Sequence, residues 1–343
     1  MNSQRSGPRI VVTGATGNVG SSLVRVLNED RRAGPVEGWA RRSPERADSG
    51  TAWRKVDLSV EREDLPALLT GVDVVVHLAW RFHPARDPAV TWRTNVLGSV
   101  RLFEAVAAAG VPALVHASSV GAYSPGPKDR QVDESWPTHG WPAAAYTREK
   151  AYLERVLDTF EKRHPEVRVV RMRPGFSFKR ESASEQRRIF AGRHLPGNLV
   201  RPGLLPFFPD LPGLRVQALH TDDAADAYRL AALGDVRGPF NLAADPPIDA
   251  DMLAGFLDAR PVTVPASVAR AGLAAAWTAR LIPTPPQLLD AVLRVPLMDT
   301  TRARTELAWT PEHTATDALR ELLAGMRAGA GAETRPLAGR IVG

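Results

Sequence analysis

The chain has 343 residues and no cysteine, which excludes disulfides, thiolate nucleophiles and cysteine-ligated metal sites, and no metal site is predicted. A hydrophobic fraction of 44% and a charged fraction of 24% are those of a folded globular protein, and the length predicts two domains or one domain with an added lobe. The net charge of +6 comes from 44 Lys and Arg residues dispersed along the chain, so we expect no nucleic acid partner. We find no apolar segment of membrane-span or signal-peptide type, and we therefore expect no membrane partner and a cytoplasmic location.

The first half of the chain alternates short β-branched runs with helical patterns. Strands are predicted at residues 9–13, 36–40, 53–56, 72–78, 113–118 and 167–173. Helices are predicted between them at residues 19–30, 65–69, 87–109 and 144–163. This alternation predicts an α/β fold, namely a doubly wound parallel Rossmann sheet with helices on both faces.

The second half of the chain differs from the first in composition and pattern. Turns rich in Pro and Gly fill residues 196–212, a helix at 222–233 and a buried strand at 239–243 return the chain to the sheet, and helices with Pro-rich joints follow. We predict a sheet domain over 1–175 plus about 213–245, and a smaller, mostly helical C-terminal lobe over about 176–212 and 246–330. Residues 331–343 are predicted to be a loose tail.

A glycine-rich turn directly follows the first predicted strand and opens a helix. Its spacing is Gly-x-x-Gly-x-x-Gly, at Gly14, Gly17 and Gly20. Glycines let the backbone approach a pyrophosphate, and the helix N-terminus supplies N–H donors to it. We therefore predict dinucleotide contacts from Gly14, Thr16, Gly17, Asn18, Val19 and Gly20; the alternative is a tight strand-to-helix turn without a ligand.

The end of the second strand distinguishes NAD from NADP. A carboxylate there would bind the ribose 2′-hydroxyl of NAD, whereas an arginine would bind the 2′-phosphate of NADP. Arg41 and Arg42 lie at the strand end and Glu37 lies early in the strand, so NADP is favoured over NAD. Asp57 and Leu58, after the third strand, are placed to meet the adenine edge, although Asp57 could equally cap a helix.

A tyrosine and a lysine lie one helical turn apart at Tyr146 and Lys150. The lysine ammonium would favour the phenolate and lower the pKa of Tyr146, so that the tyrosine can exchange a hydroxyl proton with a substrate. The fifth strand ends at Ser118 and Ser119, which brings a hydroxyl to the same edge of the sheet. The alternative is a surface pair without a catalytic role.

Several short motifs occur in a fixed order along the chain. They are Thr13-Gly14-x-x-Gly17-x-x-Gly20, His77-Leu78-Ala79, Thr94-Asn95-Val96-x-Gly98, Ser118-Ser119-x-x-x-Tyr123, Tyr146-x-x-x-Lys150, Arg173-Pro174-Gly175 and His220-Thr221-Asp222-Asp223-Ala224. From about residue 9 to 311 the chain thereby resembles the extended short-chain dehydrogenases/reductases, the NAD(P)-dependent epimerase/dehydratase family. The motifs are specific for the family and say little about the substrate.

The resemblance implies roles for individual residues. Tyr146 would be the acid/base, Lys150 would lower its pKa and hold the nicotinamide ribose, and Ser119 would hydrogen-bond the reacting oxygen. The further cofactor contacts would come from Leu78, Ala79, Trp80, Asn95, Ala117, Ser118, Arg173, Pro174 and Gly175, of which Ser118 is read as structural and Asn95 more often as a tether. The substrate would meet Arg81, Phe82, His83, Ser119, Tyr123, Phe176 and Phe178.

We predict hydride transfer between a nicotinamide and a carbonyl/alcohol substrate, bound by the dinucleotide-binding sheet domain and the substrate lobe. Dehydration is disfavoured, because Val120 and Gly121 follow Ser119 where dehydratases of this family carry Asp-Glu. A nucleotide-sugar epimerase with tightly bound NAD and a cofactor-sensing Rossmann protein remain as alternatives. The family also suggests a homodimer through the helices at 87–109 and 144–163, whose faces offer Ala105, Val106, Ala109, Leu153 and Val156.

Overall fold

The computed structural model describes residues 7–42, 44, 50–61, 64–82, 86–190, 192 and 201–339. The predicted substrate contact His83 and residues 196–200 of the turn-rich stretch at 196–212 lie outside the described residues. The strands are β1 (Ile10–Thr13), β2 (Val36–Ala40), β3 (Thr51–Lys55), β4 (Val74–His77), β5 (Ala113–Ala117), β6 (Gln131–Val132), β7 (Arg168–Pro174), β8 (Phe176–Phe178), β9 (Phe207–Asp210), β10 (Arg215–His220), β11 (Gly238–Leu242), β12 (Ala244–Asp249), β13 (Arg260–Thr263) and β14 (Leu297–Met298).

The α-helices are α1 (Asn18–Glu29), α2 (Leu65–Leu68), α3 (Pro88–Trp92), α4 (Gly98–Ala108), α5 (Ala145–Arg163), α6 (Ala183–Phe190), α7 (Thr221–Leu233), α8 (Ala250–Leu257), α9 (Ala266–Thr278), α10 (Pro286–Val292), α11 (Thr301–Thr305) and α12 (Ala315–Ala328). A π-helical turn, Arg93–Leu97, joins α3 to α4, so the predicted helix at 87–109 is a continuous helical segment with a wider turn inside it. Within the described ranges, no helix has both the length and the apolarity that a membrane crossing requires.

Seven strands form one parallel sheet in the order β11-β7-β5-β4-β1-β2-β3. Successive strand residues point to opposite faces, so Ile10 and Val12 enter one core while Val11 enters the other. Helices α1 and α7 pack on the first face, and α2, α4 and α5 on the second, while α12 extends the first core by packing on β8, β10 and β12. The predicted doubly wound sheet with helices on both faces is confirmed, and its apolar β-branched strands are those of a sheet buried on both sides.

The lobe beyond the sheet contains more strand than the sequence predicts. β8 pairs with β10 and β10 with β12 in a small mixed sheet, while β9–β13 and β6–β14 form short parallel pairs. Several of these strands pair only with partners far away in sequence, for example β6 with β14, so local periodicity gives little sign of them. The division into two domains stays a prediction.

The predicted loose tail is wrong for residues 331–339. Leu337 is 0% exposed, and the Thr334 hydroxyl donates to the Thr16 carbonyl at 2.9 Å. The segment folds back onto the glycine-rich turn because its apolar residue finds a buried place there.

Candidate active site

A cavity of about 940 Å³ opens at the carboxyl edge of the seven-stranded sheet. It is lined by the turn after β1, the ends of β2, β4, β5 and β7, the start of α5, and parts of α6 and α10. β1 and β4 are neighbours in the sheet, and the strands that follow each of them build towards opposite edges. Doubly wound sheets bind their ligands at such a switch point.

The glycine-rich turn lies against the end of β4. Gly14 has a φ of +69°, and a Cβ there would lie 2.7 Å from the Ala79 nitrogen, so only glycine fits without strain. A Cβ at Gly20 would lie 2.2 Å from the Gly14 carbonyl oxygen, which lets α1 begin directly behind the turn. No side chain caps α1. The turn therefore has the close approach and the uncapped N–H groups that suit a pyrophosphate, and all six predicted residues line the cavity.

Arg41 and Arg42 line the other end of the cavity, whereas Glu37 is turned away from it. The Glu37 carboxylate accepts hydrogen bonds from Arg9 at 3.2 Å and Trp39 at 3.0 Å, and it also pairs with Arg54. Although burial alone would raise it, these hydrogen bonds hold the pKa of Glu37 below its ordinary value. The Glu37 carboxylate is therefore occupied by salt bridges, and the side chains that reach the cavity from the end of β2 are the cations of Arg41 and Arg42.

Asp57 and Leu58 also line the cavity, at the end of β3. The Asp57 carboxylate accepts hydrogen bonds from the backbone N–H of Ser59 at 2.9 Å and from its hydroxyl at 2.7 Å. Burial alone would raise the pKa of Asp57, but these hydrogen bonds and the nearby Arg41 charge lower it below its ordinary value. Asp57 therefore fixes its own loop and lies beside the arginines.

Ser119 and Tyr146 meet on the cavity wall. The Ser119 hydroxyl accepts from the Gly121 N–H at 3.0 Å, and Tyr146 packs edge-on against Phe82, with ring centres 4.7 Å apart. A Cβ at Gly121 would come within 2.9 Å of the Tyr146 ring, so the glycine after Ser119 makes room for the tyrosine. Burial raises the pKa of Tyr146 to about 12; its hydrogen bond with Ser119 opposes this, and Glu149 adds to it.

Lys150 is 3% exposed and lies behind this wall rather than among the lining residues. Its Nζ donates to the Ala117 carbonyl at 2.6 Å and lies 3.5 Å from the centre of a Trp80 ring. Burial lowers the pKa of Lys150 to about 7, against the opposing charges of Glu149 and Glu154.

The predicted lowering of the Tyr146 pKa by Lys150 stays a prediction, and in this arrangement burial of the tyrosine acts against it. The Lys150 Nζ is 6.0 Å from the Tyr146 ring centre, and the pKa of the tyrosine lies above its ordinary value of 10.0. Burial penalises the charged form of each group, so it favours the neutral phenol and the neutral amine together.

Asn95 was predicted to contact the cofactor and does not line the cavity. Its side-chain oxygen accepts from the Arg81 N–H at 2.7 Å, and its Nδ2 donates to the Glu149 carboxylate at 2.7 Å. Thr91 donates to the same carboxylate at 2.5 Å. The π-helical turn holds Asn95 inside the protein, where it ties the loop after β4 to the helix that carries Tyr146.

Arg173 and Tyr123 are likewise buried away from the cavity, at 3% and 2% exposure, which corrects their predicted contacts with cofactor and substrate. Arg173 binds the Glu154 carboxylate through Nε and Nη2, each at 2.9 Å, and donates to the Tyr123 oxygen at 2.9 Å. The Tyr123 hydroxyl donates to Asn241 at 2.6 Å. Ser118 joins this network by donating to Glu154 at 2.6 Å, and it also lines the cavity.

The remaining predicted residues line the cavity. They are the predicted cofactor contacts Leu78, Ala79, Trp80, Ala117, Pro174 and Gly175 and the predicted substrate contacts Arg81, Phe82, Phe176 and Phe178. Sequence reasoning missed further lining residues on α6 and α10, because no motif marks these elements. Those on α6 include Glu185, Arg188 and Phe190, and Phe190 extends the aromatic wall, with its ring centre 5.7 Å from that of Phe82. Burial raises the pKa of Glu185 to about 7, although Arg188 and Lys179 oppose it.

The sequence profile of the NAD dependent epimerase/dehydratase family matches residues 10–242, and the chain therefore belongs to this family. A UDP-glucose 4-epimerase of Mycolicibacterium smegmatis is 32% identical over 161 residues, covering 44% of this chain and 51% of that protein. An L-arabinose 1-dehydrogenase (NAD(P)(+)) of Haloferax volcanii is 38% identical over 112 residues, covering 32% of this chain and 41% of that protein. The chain thus spans only about half the length of these relatives.

Solved structures show the same fold. UDP-glucose 4-epimerase of Thermus thermophilus, in complex with NAD, matches with a TM-score of 0.68 at 21% identity, covering 94% of this chain and 100% of that chain. UDP-glucose 4-epimerase of Thermotoga maritima, with UDP-glucose, matches with a TM-score of 0.69 at 20% identity, covering 93% and 99%. The resemblance to extended short-chain dehydrogenases/reductases is confirmed by the family match and by the shared fold.

Proposed function

We propose that the protein is an oxidoreductase that transfers a hydride between a nicotinamide dinucleotide and a carbonyl/alcohol substrate, with NADP preferred to NAD. The observation that carries the proposal is the layout of one cavity. The glycine-rich turn and Arg41 and Arg42 lie on its cofactor side, and Ser119 and Tyr146 meet on the same wall. The relative named as an NAD(P)(+)-dependent dehydrogenase supports this reaction class.

The nicotinamide would supply or accept the hydride. Tyr146 would hold the proton that a carbonyl oxygen takes up as it becomes an alcohol, and its raised pKa keeps the phenol protonated at neutral pH. Ser119 would orient the same oxygen. Lys150 would act as a positioning residue behind the cavity wall. Its hydrogen bond to the Ala117 carbonyl fixes the end of β5, the strand that leads into Ser119.

The cavity wall favours a moderately hydrophobic carbonyl compound. Aromatic rings from three different segments line the cavity, namely Trp80, Phe82, Phe176, Phe178 and Phe190, and those of Trp80 and Phe82 pack against Tyr146. The Arg81 cation would donate hydrogen bonds to an acidic group on such a substrate. Aromatic walls of this kind bury apolar surface, which a bare sugar offers less of.

The test is NADPH oxidation with a panel of ketones and aldehydes by the wild type and by Tyr146→Phe. We expect the variant to lose activity by about 10²–10⁴-fold, because the proton donor is removed while the ring and its packing stay. NADPH affinity should stay within about twofold, since one hydroxyl on the cavity wall is the only group lost.

Tyr152→Phe is the matched control, because Tyr152 lies on the same helix and is 45% exposed. It should retain wild-type turnover. Full turnover by Tyr146→Phe would remove Tyr146 from the chemistry and with it the proposed mechanism.

A nucleotide-sugar epimerase is the second candidate, because a 4-epimerase is 32% identical over 161 residues of the chain. It would use the same Ser119 and Tyr146 but return the hydride to the sugar. The two candidates differ in whether the cofactor is oxidised overall. The oxidoreductase would consume one reduced cofactor for each carbonyl that it reduces, whereas the epimerase would leave the cofactor unchanged after each turnover.

A further inference from the structure

The segment after α12 forms a closed loop, which we call the C-terminal loop, residues 329–339. Inside it, the Leu337 N–H donates to the Thr334 carbonyl and the Ala332 N–H to the Leu337 carbonyl, both at 2.9 Å. The two ends pass so closely that a Cβ at Gly331 would lie 2.0 Å from the Gly339 nitrogen. With Leu337 buried at its centre, the loop has a defined shape.

The C-terminal loop is attached to both sides of the cavity. On one side the Thr334 hydroxyl donates to the Thr16 carbonyl of the glycine-rich turn at 2.9 Å, although the two residues are 318 positions apart in the chain. On the other side Arg188 of α6 donates to the carbonyls of Pro336 at 2.8 Å and Ala338 at 2.6 Å. The residues between these attachments cannot drift away from the cavity without breaking hydrogen bonds.

These attachments bring Arg335 and Pro336 into the cavity wall. Arg335 lines the cavity and directly follows the residue that is bonded to Thr16, so its backbone lies next to the glycine-rich turn and its side chain has the length to reach the start of α1. Its side chain is exposed, and among the described residues no hydrogen-bond or ion-pair partner of its guanidinium is found. A cation beside uncapped helix N–H groups suits a phosphate, which both would bind.

We propose that Arg335 is a phosphate ligand of the dinucleotide, carried to the glycine-rich turn by the C-terminal loop. The proposal rests on the proposed function, since it requires a dinucleotide in this cavity. It assigns a cofactor contact outside residues 10–242, the part of the chain that matches the family. Thr334 and Arg188 are then positioning residues, because they hold the loop at both ends.

The test is titration of NADPH and NADH, followed by nicotinamide fluorescence, with the wild type and Arg335→Ala. Loss of a charge-assisted hydrogen bond should raise the Kd by about tenfold or more. A pyrophosphate contact weakens both nucleotides equally, whereas a 2′-phosphate contact weakens NADPH alone; either result supports the proposal. Arg320→Ala is the matched control, because Arg320 is an exposed arginine of α12 that pairs with Asp317.

Thr334→Val tests whether the C-terminal loop positions Arg335 through its hydrogen bond to Thr16. It should weaken binding less than Arg335→Ala and have no further effect in the Arg335→Ala background, because both changes act through one contact. Unchanged Kd values for Arg335→Ala, in a protein whose wild type binds either nucleotide, would overturn this proposal alone. A wild type that binds neither nucleotide would overturn the proposed function and this proposal with it.

Discussion

At the scale of single residues, cofactor choice depends on which side chains the end of β2 offers. Arg41 and Arg42 line the cavity, whereas Glu37 does not line it and is held by Arg9, Trp39 and Arg54. We expect Arg41→Ala/Arg42→Ala to raise the Kd of NADPH by about tenfold or more, because two 2′-phosphate contacts are lost.

The Kd of NADH serves as the internal control for the double variant and should change by less than about twofold, since NADH has no 2′-phosphate. Fluorescence titration of both nucleotides gives the answer. Equal losses for the two, or a wild type that binds NADH more tightly than NADPH, would contradict the assignment of these arginines.

The sequence predicted positions at the site better than interactions. Ser119 and Tyr146 could be found because their motifs fix a strand end and the first turn of a helix. The burial that acts on the pKa values of Tyr146 and Lys150 could not be predicted, because it depends on Trp80 and Phe82, which belong to another loop. Arg335 was missed because only the folded chain brings its neighbour Thr334 to Thr16.

At the scale of elements, α5 is joined to β7 by a buried ion pair. Glu154 is 1% exposed and is bound by Arg173, Arg171 and Ser118. Despite burial, which alone would raise it, these partners lower the pKa of Glu154 from 4.5 to about 2. The pair holds the helix that carries Tyr146 against the sheet, which explains why Arg173 belongs to the family motif without facing the cavity.

We expect Glu154→Gln to lower the free energy of unfolding at pH 7 by about 3 kcal/mol, because it leaves the buried Arg173 without its charge partner and removes one of the three carboxylates that bind Arg171. The stabilisation by Glu154 is complete above its ordinary pKa of 4.5 and is lost as the pH falls towards 2. The difference between variant and wild type should therefore shrink across that interval, as measured by urea denaturation at several pH values.

Glu104→Gln is the control for this prediction, because Glu104 forms a 3.2 Å pair with Arg163 in which both side chains are at least half exposed. Its loss should cost less than about 1 kcal/mol. An equal loss in the two variants, or a difference that does not change with pH, would show that the buried pair does not hold α5 in this way.

Element prediction succeeded where the periodicity was strong and local. The seven strands of the large sheet and the helices that were predicted between them lie within about two residues of their predicted bounds, whereas α6 was not predicted. The short strands of the lobe and the fold of residues 331–339 were not predictable, because distant partners stabilise them: β6 pairs with β14, and the loop binds Thr16 and Arg188.

At the scale of the whole molecule, one cavity collects residues from nearly the full length of the chain, from Thr13 to Pro336. The homodimer stays a prediction. Ala105, Val106 and Leu153 pack inside the core of this chain and cannot form the interface. Leu97 and Tyr152, which are 41% and 45% exposed, are the apolar surface that these helical segments offer instead.

The most direct measurement of the central claim is deuterium transfer from NADPH labelled at both C4 positions. For at least one ketone or aldehyde of the panel, we predict an alcohol with one deuterium on the carbinol carbon for each NADPH oxidised, and loss of this product in Tyr146→Phe. Absence of label from every product, together with interconversion of UDP-sugars without net NADPH oxidation, would contradict the oxidoreductase assignment and establish the epimerase.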